Sequence, residues 1–88
     1  MTIRLGTIEF DHVRYDERGD ILYLSVGEPR EAADELLTPE GHVVRLDENG
    51  DVIGVTLINA GWLAERDGKV SVSLPQPISS AELAPAFG

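Results

Sequence analysis

Four side chains in the sequence could carry acid–base or metal chemistry: His12, Asp16, Asp20 and His42. The two histidines are the only ones in the chain. As neutral imidazoles they could pair on a metal ion or serve as a general base. Asp16, Glu17 and Asp20 form an acidic turn, and carboxylates so grouped could ligate a hard cation or act as an acid and base pair. A metal-dependent enzyme built on His12, Asp16, Asp20 and His42 would need all four in one pocket. No third ligand stands at a diagnostic spacing from the histidines. Aspartates in turns ordinarily hydrogen-bond their own backbone, and this is the reading the spacing favours. Tyr15 and Tyr23, beside the turn, can pack their rings and set hydroxyls at its rim.

The other candidates are weaker. Asp47-Glu48-Asn49-Gly50-Asp51 surrounds a glycine with acids, as calcium loops do. Its glycine stands fourth and its twelfth position is Ile58, where an EF-hand loop has glycine sixth and a bidentate glutamate twelfth. Asn-Gly is instead the signature of a tight hairpin turn. Ser25, Ser71 and Ser73 lie in strand-like runs without a Gly-x-Ser-x-Gly elbow, and no glycine-rich phosphate loop occurs. The sequence therefore gives no catalytic residue and implies no cofactor or metal. Trp62, the single tryptophan, is either a core pin or an interface anchor. With Leu63 and Tyr23 it makes the candidate interface.

The elements that would position these residues are mostly strands. Thr2–Leu5 alternates and stops at Gly6. Ile8 and Phe10, then Val13 and Tyr15, are apolar with a change of phase near Asp11-His12, which predicts a bulge or kink within one longer strand. Ile21–Val26 is apolar on nearly both faces and reads as an interior strand. Residues 31–37 fit a short helix or a poor edge strand, and extended structure is preferred because seven residues hold little helix alone. His42–Leu46 and Val52–Ile58 form a hairpin across Asn49-Gly50, with Gly54 marking a bulge or a close backbone approach. Asn59 is placed to cap a helix over residues 60–67 that Gly68 ends. Lys69–Leu74 alternates as a last strand, and Ser79 or Ser80 can cap a final short helix over Ala81–Ala84.

The expected fold is a single domain over residues 1–88, α+β and mainly β. It is an antiparallel meander sheet of five to seven strands with one or two short helices, the last strand and helix lying within 61–88. Consecutive strands joined by tight turns are normally antiparallel neighbours. An 88-residue chain buries only about 63% of its unfolded surface. Two strands apolar on both faces, with few helical residues to cover them, predict either a sheet curled into a barrel or a homodimer.

Sixteen acids against seven bases leave a formal charge of −9. Such a surface repels phosphate backbones and anionic membranes but steers basic partners inward. With no cysteine there is neither a disulfide nor a thiolate metal site. No run reaches the ~20 apolar residues that span a bilayer, and Met1–Phe10 lacks the apolar centre of a signal peptide. A cytoplasmic location is expected, with neither nucleic acid nor membrane as partner.

Two stretches resemble a known family. Val13-Arg14-Tyr15-Asp16-Glu17-Arg18-Gly19-Asp20-Ile21-Leu22-Tyr23-Leu24 resembles the opening motif of the bacterial domain of unknown function 2283 family. Gly41-His42-Val43-Val44-Arg45-Leu46-Asp47 through Gly50, then Val52–Leu57, is similar to its second half, so that the likeness covers roughly residues 8 to 60. Trp62-Leu63 and Lys69–Pro75 resemble the tail of one branch. The family has no established activity and no agreed catalytic residues. Some members are encoded beside small toxin-like proteins, which implies an antitoxin-like partner of a small basic toxin. Thr56 stands where many members carry glutamate. From the residues, the reading is a dimeric, non-enzymatic protein-binding module.

Overall fold

The Asn49-Gly50 turn forms as its residue types require. Gly50 takes a positive φ of 81° and donates its N–H to the Asp47 carbonyl at 3.0 Å. The Asp47 carboxylate accepts the N–H groups of Asn49 and Asp51 at 2.9 and 3.0 Å. The Asp47 carboxylate is therefore engaged with its own loop.

The computed structural model describes residues 2–74. In chain order the elements are β1 (Ile3–Leu5), β2 (Ile8–Phe10), β3 (His12–Asp16), β4 (Ile21–Ser25), β5 (Asp34–Leu37), β6 (Val43–Leu46), β7 (Val52–Ile58) and α1 (Ala60–Asp67). This is the α+β, mainly β architecture expected, and residues 34–37 are extended. The strands divide into a two-stranded ribbon, β1-β2, and a five-stranded antiparallel sheet in the order β3-β4-β7-β6-β5. Within the sheet β5, β6 and β7 run as a meander, and β4 lies beside β7, the fourth-beside-first arrangement of a Greek key.

Three local expectations are corrected. The phase change near Asp11 is not a bulge in one strand. The chain passes there from the ribbon to the sheet, and the Asp11 carboxylate accepts the Gly27 N–H at 2.7 Å. The Asn59 side chain makes no capping bond, because Asn59 is itself left-handed at φ 56°. Residues 69–74 join no sheet. Their alternation is met by packing Val70, Val72 and Leu74 onto the core, while the Ser73 N–H donates to Glu40 at 3.0 Å. The helix expected at Ala81–Ala84 lies outside the described residues.

Strand parity gives the sheet two unlike faces. Leu24, Val55 and Val44 stand in register on one face, next to Leu57 and Leu46. With Phe10 and Ala60 they make the buried core. Ile3, Leu5 and Ile8 from the ribbon and Val70, Val72 and Leu74 pack against it. The opposite face runs in two main rows. One is His12–Ser25–Gly54–Arg45–Glu35 and the other Arg14–Tyr23–Thr56–Val43–Leu37. No described helix or strand lies over these rows.

Candidate functional site

The open face holds a depression. It is a groove of about 360 Å³ whose lining includes His12, Arg14, Tyr23, Ser25, Arg45 and Thr56. The alternation of β3, β4, β6 and β7 sends these side chains to one side. Gly54 lies under the groove because only glycine fits there: a Cβ would come within 2.9 Å of the Leu24 backbone oxygen. The connection between β4 and β5 walls one end through Pro29, and Arg45 donates to the carbonyl of the next residue, Arg30. The Arg14 guanidinium lies 4.3 Å over the Tyr23 ring, a cation–π contact that holds it flat along the floor. Arg14 and Arg45 make the groove locally basic in a chain of charge −9.

The residues of the metal-enzyme alternative do not converge. His12 is exposed on the open face, whereas His42 is 1% exposed on the covered one. His42 Nδ1 accepts the Ile58 N–H at 3.0 Å, so its proton resides on Nε2, which has no partner among the described residues. Desolvation holds its pKa below the ordinary imidazole value. Asp16 accepts the Arg18 N–H at 3.1 Å in the turn its sequence predicts. Among the described residues no group of three or more His, Asp or Glu side chains is placed to hold a metal ion.

Asp20 has a definite structural task. Its carboxylate accepts the Tyr15 hydroxyl at 2.6 Å and the N–H groups of Gly61 and Trp62 at 2.8 and 3.0 Å. It thus satisfies the open N–H groups of the first turn of α1 from another element, the work Asn59 does not do. The Tyr15 hydroxyl, then the Trp62 and Gly61 N–H groups, hold the Asp20 carboxyl below its usual range. The same bond raises the Tyr15 phenol.

The three candidate interface residues do not form one patch. Tyr23 is half-buried on the floor of the groove. Trp62 is 54% exposed on α1, with the Arg66 guanidinium 4.5 Å above its ring. Leu63 is half-buried and lines a separate depression with His42. Residue-type reasoning missed Arg14, Arg45 and Leu37, whose signal was two-residue parity across strands. Leu37 is 76% exposed, the most exposed large apolar side chain among the described residues.

Fold and site together define a small mainly-β domain with one packed and one open sheet face. Residues 12–60 match the family described as Protein of unknown function (DUF2283), more than half of the chain, and the protein belongs to that family. No curated protein and no solved structure matches the chain. Among the described residues no helix is long and apolar enough to cross a membrane.

Proposed function

We propose that this chain is a non-enzymatic module that binds protein through the open face of its five-stranded sheet. One observation carries the reading. The sheet buries one face under its own ribbon and helix, while the other offers a groove of about 360 Å³ floored by Tyr23 and Thr56. Half-buried Ile21, Val43 and Ile58 extend that face as apolar surface. Interfaces combine aromatic and apolar contact with polar groups, arginine among them, and this face offers both. The cations at the groove favour an acidic or mixed-charge partner there, and the remaining acidic surface would steer a basic one elsewhere. A cytoplasmic setting fits a chain without cysteine.

The test is site-specific photo-crosslinking in cells of the source. A crosslinking side chain at position 23 should capture protein, and one at position 9 on the outer ribbon should not. A position 23 that captures nothing, in a chain that folds, refutes the reading.

A further inference from the structure

Among the described residues His42 is the one buried ionisable side chain. Its backbone is fixed by the turn it closes. Its N–H donates to the Thr38 hydroxyl at 3.0 Å, and its carbonyl accepts the Thr38 N–H at 2.7 Å. The ring stands in for a strand residue. The β6–β7 register ends at Val43 with Thr56. Two residues further along β7, the Ile58 N–H donates at 3.0 Å to His42 Nδ1 instead of to a backbone carbonyl. α1 begins two residues after Ile58 and carries Trp62 and Leu63. We propose that His42 is a proton-operated latch: the neutral ring holds the end of β7 to the 38–42 turn, and the charged ring releases that end together with the start of α1.

The device follows from the two ring nitrogens. A neutral imidazole accepts at one and donates at the other, whereas an imidazolium donates at both. A charged His42 therefore sets an Nδ1–H against the Ile58 N–H, two donors face to face, and turning the ring over restores no acceptor. The amide and the charge are then both left without a partner, which is costly in a buried place. Neighbouring charges do not offset that cost. Glu40 on the same turn, Arg66 and Asp67 on α1 and Lys69 beyond it line a depression of about 260 Å³ with His42. These are two acids and two bases, and β7 adds no charge. Asp67 is paired with Arg66 at 3.0 Å, and Glu40 accepts the Ser73 N–H and hydroxyl. Desolvation holds the ring toward its neutral form and outweighs the pull of Glu40 toward the charged one. Opening brings the ring into water, where its ordinary value of 6.5 applies. The open state thus takes up the proton first as pH falls, and protonation drives opening.

The experiment is amide hydrogen exchange of the purified chain at about pH 7 and about pH 5.5, each rate corrected for the intrinsic effect of pH. The Ile58 opening constant should rise by up to about eightfold, the proton uptake of one imidazole of ordinary pKa over that interval. The Leu63 amide, bonded to the Asn59 carbonyl in the first turn of α1, should follow it, and the Leu24 and Val55 amides at the centre of the sheet should not. Glu40 is silent in this interval, because its ordinary value of 4.5 and its folded value of about 2 both lie below it. His42→Asn presents Oδ1 in place of Nδ1 and does not titrate, so it should keep Ile58 protected and abolish the rise. His12→Gln, on the other face, should retain the rise. The nitrogen-15 shifts of the wild-type ring give a reading that needs no variant: Nδ1 should be unprotonated at about pH 7. An unchanged Ile58 opening constant overturns the proposal, as does a protonated Nδ1, an equal rise in His42→Asn, its loss in His12→Gln, or a rise spread evenly over the sheet.

Discussion

Phe10→Ala probes the packed face directly. Phe10 ends β2 and is completely buried in the cluster with Leu24, Val44, Val55 and Leu57. It is the largest residue linking the two-stranded ribbon to the five-stranded sheet. An aromatic side chain of this size buries ~150–250 Å², and its truncation in a core costs about 3–5 kcal/mol once the cavity is included. An 88-residue domain has roughly 4–13 kcal/mol of stability in total. Phe10→Ala should therefore consume between about a quarter of the stability and all of it. In a domain of this size that loss lowers Tm by roughly 12–40 °C. Urea titration followed by circular dichroism gives the free energy, with Tyr23→Ala on the open face as the reference. A Phe10→Ala loss below about 1 kcal/mol, comparable with a surface substitution, would refute the assignment of the covered face. The ribbon would then be too loosely held to count as cover, and the contrast between the faces would disappear.

Two further outcomes follow from polar contacts. Gly61→Ala should lower Tm although alanine is the better helix former, because its Cβ would meet Asp20 Oδ1 at 2.8 Å and the Tyr15 hydroxyl at 3.1 Å. Loss of amide-exchange protection confined to Gly61, Trp62 and the Asp20 turn would localise the effect. Acid should destabilise the chain between about pH 4.5 and pH 2, because the Ser73 hydroxyl and N–H lower the Glu40 pKa from 4.5 to about 2. The unfolded chain takes up that proton first, so the stabilisation is complete above the unfolded value and is lost as pH falls through the folded one. Glu40→Gln should flatten the pH dependence of the urea midpoint over that range.

Elements governed by nearest neighbours were legible in the sequence. Asn49-Gly50 specified its hairpin, Gly68 stops α1 in a left-handed conformation at φ 75°, and Gly54 marked the close approach of β4 and β7. Contacts set by distant partners were not legible. Nothing local to Asn59 shows that the first turn of α1 is closed by Asp20, some forty positions earlier. The Lys69–Leu74 segment has the pattern of a half-buried strand, and that pattern is equally met by an extended segment lying on a core without ladder bonds. Alternation reports which side chains are buried and is silent on where the backbone N–H groups go.

The character of the open face also depends on a register that composition does not reveal. Pairing runs Val43 with Thr56, Val44 with Val55 and Arg45 with Gly54, and then steps to Leu46 with Val52. Ile53 is the extra residue, and this bulge turns Val52 toward the covered face. Strict alternation would have kept Val52 on the same side as Gly54, Thr56 and Ile58. The open face would then have carried one more apolar side chain beside Arg45. Likewise, shifting His12 by one position would have brought it to the face that holds His42, and the metal-enzyme reading would have kept its two histidines together. Because side chains alternate with a period of two, single-residue events decide which groups meet. The same parity that separates the histidines sets His12 and Arg14 on one face with Glu35 and Leu37. One parity thus keeps His12 away from His42 and sets it beside Arg14 on the open face.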